Sequence, residues 1–323
     1  MKKALRFMCM AMAVTGVTAA AQAQEDSYPS KPVKVLVGFA PGGAVDTAGR
    51  LMASELQKAL GKSFVVENKP GAGGLLALME GARAPADGYT IVVGSAGPLT
   101  VSPVLFKNQN FDPLKSLDPI ALYMYTPGIV VVKNDLKVSN LKGLVEASKS
   151  ASLNMASAGT GSVLHLMGEH FQERVNVKWV HIPYKGSSPA LADMMGGRVD
   201  VMLDVLPSSA PLVKGGQIKA LAVTSKRRNP QLPDVPTVAE QGFGDIELGS
   251  WMGMLVPKGT PPAIVAKLNK ALNASLKNPE VQNKVASLGS ETEGGTPEML
   301  AERIARETKV WREVIEKNNI EAQ

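Results

Sequence analysis

Residues 33–47 read VKVLVGFAPGGAVDT and contain the unit that decides the fold. The apolar run Val33–Val37 predicts a buried strand, and the segment 38–44 is a loop rich in glycine and proline. Asp46 or Thr47 can cap the helix that follows. A strand, a glycine loop and a helix in this order begin a right-handed βαβ unit.

The same order recurs along the chain. Apolar strands at 64–68 and 89–93 each end near a glycine-bearing loop, and a second series of strand–helix units begins near Ile120 and continues to Thr224. Repeated units of this kind predict an α/β fold built on parallel sheets. After a strand near 251–256, the rest of the chain is predicted to be helical.

This order predicts two doubly wound α/β lobes. The chain has 323 residues, which suits two packed domains. The C-terminal helices lack strands for a sheet of their own, so we expect them to pack on the first lobe. The prediction is a discontinuous first lobe at 24–123 and 251–323, an inserted second lobe at 124–250, and a hinge where the chain crosses twice.

The first 23 residues are typical of a secretory signal peptide. Lys2, Lys3 and Arg6 form a basic start, residues 7–21 contain no acidic residue, and an A-x-A motif ends at Ala23. We expect cleavage after Ala23 and a periplasmic mature protein. No later segment has the roughly 20 consecutive apolar residues that a transmembrane helix needs.

Charge and cysteine content exclude several classes of function. The formal net charge is +6, and removal of the three basic residues of the signal leaves 32 basic against 29 acidic residues, or +3. Basic residues scattered in this way do not predict nucleic-acid binding. The single cysteine, Cys9, lies within the signal, so the mature chain is expected to have neither a disulfide nor a cysteine metal ligand.

Three glycine-bearing loops follow predicted strands and precede helices, at 39–44, 94–97 and 157–162. Such loops meet at the carboxyl ends of parallel strands, where ligands bind. Their free amides and the helix dipoles behind them favour an anion, and Ser157, Thr160 and Ser162 add hydroxyl groups. The alternative is that they are ordinary tight turns.

Two further side chains are candidates for the cleft. Asp204 ends a predicted strand, where it would suit a ligand that carries an ammonium group; the alternative is a capping or loop aspartate. Tyr184 lies in the segment His181-Ile182-Pro183-Tyr184-Lys185-Gly186.

The spacing of the histidines and serines in this sequence does not match known catalytic or metal-binding motifs. His165 and His170 lack the i, i+4 spacing of a helical zinc site. Ser162 and His165 lie three residues apart at a helix start, where serine usually caps the helix, so a hydrolase is the weaker interpretation. We expect neither an enzyme nor a cofactor.

The mature chain resembles the Bug receptors, the extracytoplasmic binding components of tripartite tricarboxylate transporters. The resemblance extends over nearly the whole mature chain. The segments that carry it are Pro41-Gly42-Gly43 with Asp46, 67–74 (ENKPGAGG), 86–90 (ADGYT), 157–162 with His165-Leu166, 181–186 (HIPYKG), 220–224 (ALAVT), 232–237 (LPDVPT), and Trp251 with Gly253. Ala44 and Val45 differ from the commoner residues at their positions.

The resemblance implies a type II periplasmic binding fold that closes on a small carboxylate, and membrane subunits of such a transporter as partners. It implies that Phe39, Ala40 and Gly43 hold one ligand carboxylate and that the loop 157–162 meets the other end. We expect a monomer. The candidate ligand-binding residues are Phe39, Ala40, Gly43, Ser95, Ser157, Gly159, Thr160, Gly161, Ser162, His165, Tyr184 and Asp204. The alternatives are a sensor that partners a membrane kinase and, less favoured, a periplasmic hydrolase or isomerase that uses Asp204 with His165.

Overall fold

The computed structural model describes residues 28–39, 41–106, 111–184, 186–244 and 246–321. The predicted signal peptide, its cleavage after Ala23, and Ala40 lie outside these residues. Within them, every helix is too short or too polar to cross a membrane.

The described residues form an α/β structure. The strands are β1 (Val33–Val37), β2 (Phe64–Asn68), β3 (Thr90–Ser95), β4 (Leu117–Val132), β5 (Asn154–Ser157), β6 (Val180–Pro183), β7 (Val201–Val205), β8 (Lys219–Val223), β9 (Gly249–Pro257) and β10 (Glu291–Thr292). The α-helices are α1 (Ala44–Leu60), α2 (Leu75–Ala82), α3 (Ser102–Leu105), α4 (Pro113–Ser116), α5 (Leu141–Ser150), α6 (Val163–Val175), α7 (Ser187–Met195), α8 (Leu206–Lys214), α9 (Pro262–Ser275), α10 (Pro279–Ser287) and α11 (Pro297–Lys317). A π-helical turn at Gly97–Val101 leads into α3.

The strands form a curled mixed sheet with two parallel parts. In the first part β1 pairs in parallel with β2 and β3, and in the second part β5 pairs in parallel with β6 and β7. Antiparallel strands join the two parts, because β9 pairs with β3 and with β4, and β4 pairs in turn with β7 and β8. The predicted α/β fold with two lobes is confirmed, while the lobe boundaries stay a prediction.

β4 is longer than the sequence indicated. In the sequence, only the apolar run 129–132 has a clear strand pattern, but β4 has 16 residues and runs through Pro119, Pro127 and Gly128. Prolines normally mark a strand edge or a break, which obscured the pattern. The first part of β4 pairs with β9 up to Pro127, and the part from Gly128 pairs with β7, so one strand belongs to both lobes.

α11 also contacts both lobes. Leu300 and Ile304 belong to the first-lobe core, with Trp251 of β9. Further along the same helix, Trp311 and Val314 are buried in the second-lobe core. The helix has 21 residues and is about 30 Å long, enough to reach from one core to the other. α9 and α10 pack in the first-lobe core as expected, whereas only the first half of α11 does so.

Packing of α11 on the first lobe predicts how much stability is lost when a buried side chain of this helix is replaced by alanine. Ile304 is buried, whereas Met299, on the same helix, is half-exposed. We expect Ile304→Ala to lower the free energy of unfolding by about 2–5 kcal/mol, because it leaves a cavity in the core. The control Met299→Ala should change it by less than about 0.5 kcal/mol. Urea unfolding measures both, and equal effects would contradict this packing.

Candidate ligand-binding site

The loop between β1 and α1 is held in place by one buried carboxylate. Asp46, in the first turn of α1, accepts hydrogen bonds from the Gly42 amide at 2.8 Å, from Arg50 Nε at 2.9 Å and from Asn68 Nδ2 at 2.7 Å. Asn68 Nδ2 also donates to the Phe39 carbonyl at 2.9 Å. Burial raises the pKa of Asp46, but these hydrogen bonds outweigh it and the pKa is lowered, so the carboxylate is ionised at neutral pH.

The amides at the start of α1 remain available. Gly43 is the N-cap residue and provides no side chain, and Thr47 is the first residue whose amide bonds back, to the Gly43 carbonyl at 2.9 Å. An α-helix leaves its first amides without a partner of its own, and the helix dipole makes this end positive. The first turn of α1 therefore presents donors that favour an anion.

The loop between β5 and α6 uses several of its own donors. Ser157 Oγ accepts from the Gly159 amide at 3.1 Å, and His165 Nδ1 accepts from the Gly161 amide at 3.1 Å. Ser162 Oγ caps α6 by accepting the His165 amide at 3.1 Å. The amides of Gly159 and Gly161, expected to be free, are thus occupied within the loop. Among the described residues, the Thr160 amide has no acceptor.

Two stacked histidines pack against this loop. The rings of His165 and His181 lie 3.7 Å apart and within 10° of parallel. His181 Nε2 is 2.7 Å from Ser157 Oγ, and His165 Nε2 is 3.5 Å from Glu169. Burial, with a smaller contribution from the neighbouring His165, lowers the pKa of His181 to about 4. His165 and Ser157 therefore position the loop through their hydrogen bonds. His181 takes part in the same arrangement but was not among the candidate residues.

One cavity brings the two loops together. Its volume is about 690 Å³, within the range of small-molecule sites. Of the twelve candidates, Phe39, Ser95, Gly159, Thr160, Gly161 and Ser162 line it. The other described lining residues are Val45, Ala72, Gly73, Gly97, Pro98, Val101, Ser102, Leu105, Phe106, Ala158, Val163 and Ser250.

The lobes touch at one side of this cavity. A Cβ atom at Gly161 would lie 2.7 Å from Leu105 Cδ1, and one at Gly97 would lie 3.4 Å from Val163 Cγ2. Gly161 also has φ +73°, a conformation that favours glycine. Close approach of α3 to the second loop therefore depends on the absence of a side chain at Gly161. In the sequence, Gly161 was a candidate because of its backbone amide, and its close contact with Leu105 was not expected.

The remaining candidates lie elsewhere. Gly43 is exposed and does not line the cavity. The Tyr184 hydroxyl donates to Asp193 at 2.8 Å, and its amide donates to the Ser157 carbonyl at 3.1 Å. Asp204 is fully buried, and its two carboxylate oxygens accept from Ser187 Oγ and Ser209 Oγ, each at 2.7 Å. Asp204 is therefore enclosed by serines and does not meet the cavity in this structure.

A second cavity of similar volume lies within the first lobe. It is bordered by α9, the start of α11 and the start of β4, where Lys258 Nζ pairs with Asp118 at 2.7 Å. Neither of the loops described above reaches it. In the described residues, no three His, Cys, Asp or Glu side chains gather as a metal site would require.

Two α/β lobes with a cavity between their loops define a receptor of the periplasmic binding class. A model of the tripartite tricarboxylate transporter family receptor matches residues 48–320, so the chain belongs to this family. The family and the structural neighbours are substrate-binding receptors and not enzymes. The resemblance seen in the sequence is confirmed.

Solved structures agree with this assignment. The periplasmic binding protein BugD is 39% identical, with a TM-score of 0.72 over 92% of this chain and 100% of that one. A protein of R. palustris solved with adipate is 33% identical, with a TM-score of 0.76 over 91% of this chain and 99% of that one. MatC of Rhodopseudomonas palustris, solved with malate, is 33% identical, with a TM-score of 0.72 over 89% of this chain and 100% of that one.

The buried carboxylate of Asp204 predicts a cost for removing its partner. Burial raises the pKa of Asp204 and the serine hydrogen bonds oppose that rise. We expect Ser209→Ala to lower the free energy of unfolding by about 1–3 kcal/mol, because one carboxylate oxygen loses its donor in the interior. The neighbouring Ser208→Ala should cost less than about 0.5 kcal/mol. Denaturant unfolding distinguishes the two, and equal costs would contradict the role of Ser209.

The histidine stack predicts a pH dependence. Because the folded pKa of His181 is about 4 and its ordinary value is 6.5, the unfolded chain binds more protons between these values. Its contribution to stability is therefore complete above pH 6.5 and is lost as the pH falls to about 4.

We expect His181→Gln to reduce that loss by about 1 kcal/mol, less than the full linkage energy because the ring is only half-buried. Melting temperatures of both proteins measure it. The curves should run parallel above pH 6.5, and curves that stay parallel down to pH 4 would refute the assignment.

Proposed function

We propose that this protein captures a small carboxylate in the cavity between its lobes and delivers it to the membrane subunits of a tripartite tricarboxylate transporter. The observation that carries the proposal is the meeting of two helix starts, α1 from one lobe and α6 from the other, at one cavity. Oriented amides and helix dipoles at such ends favour negative groups.

The neighbours support the same class of ligand. One R. palustris relative was solved with adipate and another with malate, and both ligands are dicarboxylates. In this chain a dicarboxylate would place one carboxylate at the first turn of α1 and the other at the loop 157–162. Ser95 and Thr160 would then donate their hydroxyl groups.

Export agrees with this role. The basic and apolar residues 1–23 would direct the chain to the periplasm and be removed after Ala23. There the receptor would act as a monomer and pass its ligand to the membrane subunits.

A thermal-shift screen tests the proposal. Adipate, malate, citrate, glutamate and benzoate are each added to the protein, with glucose as a neutral control. A ligand at a hundredfold excess over its Kd stabilises the folded state by about 2.7 kcal/mol, equivalent to a melting-temperature rise of about 5 °C. We expect at least one acid to give such a rise. A rise with glucose and none with any acid would refute carboxylate binding.

Two glycine variants assign the binding to this cavity. Gly161 has φ +73° and Gly216 has φ +65°, so alanine at either position carries a similar backbone cost of about 1–2 kcal/mol. Only Gly161 lines the cavity and meets Leu105. We expect Gly216→Ala to keep the ligand-induced rise and Gly161→Ala to lose most of it. Equal rises in the two variants would place the ligand elsewhere.

A further inference from the structure

We infer that the cavity selects acids whose body is an unsubstituted hydrocarbon, aliphatic or cyclic, and rejects amino acids and polyhydroxy acids. The inference rests on the proposed function, since it concerns the same cavity. It narrows the ligand from small carboxylates in general to one chemical class.

The walls of the cavity are mostly apolar. Its larger side chains are Phe39, Val45, Val101, Leu105, Phe106 and Val163. They come from the β1–α1 loop and the first turn of α1, from the segment after β3 and from the start of α6, so they surround the space between the two helix ends. A hydrocarbon body gains roughly 25 cal/mol for each Å² of apolar surface that it buries against such walls.

No charged side chain lines the cavity among the described residues. The two nearby carboxylates have other partners, because Asp46 is bonded to Arg50 and Asn68, and Asp204 is bonded to two serines. An ammonium group in the cavity would lose its water without meeting a counter-charge. Burial of an unpaired charge is strongly unfavourable, so the site disfavours amino acids.

Five hydroxyl groups line the cavity, those of Ser95, Ser102, Thr160, Ser162 and Ser250, and Ser162 already caps α6. Ser95 and Ser102 line the cavity, are more than nine-tenths buried, and have no hydrogen-bond partner for their hydroxyls among the described residues. These two donors point to a polar ligand atom, and a carboxylate can accept from both. Because the two carboxylates of the ligand would take up these hydroxyls and the free amides, further hydroxyl groups along its chain would meet the apolar side chains of the wall, at a cost for each one left unpaired.

Matched pairs of acids test the inference. Adipate and galactarate share a six-carbon dicarboxylate chain, and galactarate adds four hydroxyl groups; cyclohexanecarboxylate and quinate share a ring in the same way; 2-aminoadipate adds one ammonium. We expect calorimetry to give the hydrocarbon member of each pair a Kd about 10- to 100-fold lower than its substituted partner. Equal affinities, or tighter binding of galactarate, quinate or 2-aminoadipate, would overturn the inference and leave carboxylate binding intact. Binding of none of these acids, with none active in the thermal screen, would overturn both.

Val45→Thr tests the wall itself. The substitution keeps the shape of the side chain and replaces one methyl group with a hydroxyl, in the first turn of α1. We expect adipate to bind about fourfold more weakly, the equivalent of one lost buried methyl group, and the gap between adipate and galactarate to narrow. Val65→Thr is the control, because Val65 is exposed on β2 and outside the cavity, and its Kd values should equal those of the wild type.

Val163→Thr, at the start of α6, repeats the test from the other lobe. It provides the measurement if Val45→Thr fails to fold, as its melting temperature would reveal. An unchanged Kd for adipate in a folded variant, with an unchanged gap to galactarate, would refute the apolar role of that wall.

Discussion

The shared strand β4 is the constraint on which the rest of the structure depends. Its residues up to Pro127 pair with β9, and those from Gly128 pair with β7 and β8, so the two parallel parts of the sheet meet through one backbone. At the crossing, the Leu248 carbonyl accepts from the Gly128 amide at 2.9 Å and from the Tyr125 hydroxyl at 3.1 Å, and the Thr224 hydroxyl also donates to it. There is no space for a side chain at Gly128, where a Cβ atom would lie 2.6 Å from Met167 Cε.

This crossing fixes where the binding loops lie. The loops after β1, β2 and β3 leave the carboxyl ends of parallel strands in the first lobe, and the loop after β5 does the same in the second. Since β4 joins the lobes with these ends towards each other, the four loops line one cavity. α11 adds a second link, because Leu300 and Ile304 pack in the first-lobe core while Trp311 and Val314 pack in the second-lobe core.

The sequence predicted well what neighbouring residues determine. Strand periodicity and glycine loops located β1, α1 and the loop 157–162, because these signals lie within a few residues of the elements they form. It predicted poorly what distant residues determine. The partner of Ser157 is His181, 24 residues away, and Asp204 is enclosed by Ser187, 17 residues away. No local pattern distinguishes an aspartate that faces a cavity from one that faces two serines.

The candidate site also combines contacts between neighbouring residues with contacts between distant ones. Its polar groups are hydroxyls and backbone amides, and the loops that carry the amides are held by side chains that do not line the cavity: Asp46 and Asn68 order the first loop, and Ser157 with His165 orders the second. Recognition by fixed amides puts no charged side chain against the ligand, so an empty cavity has no buried charge to stabilise. On the proposed function this matters for release as well as for capture, because neutral donors hold a carboxylate less tightly than a bidentate arginine does. The amides and hydroxyls that would hold the carboxylates can then accept acids in general, while the apolar wall around Val45 and Leu105 decides which acid body fits.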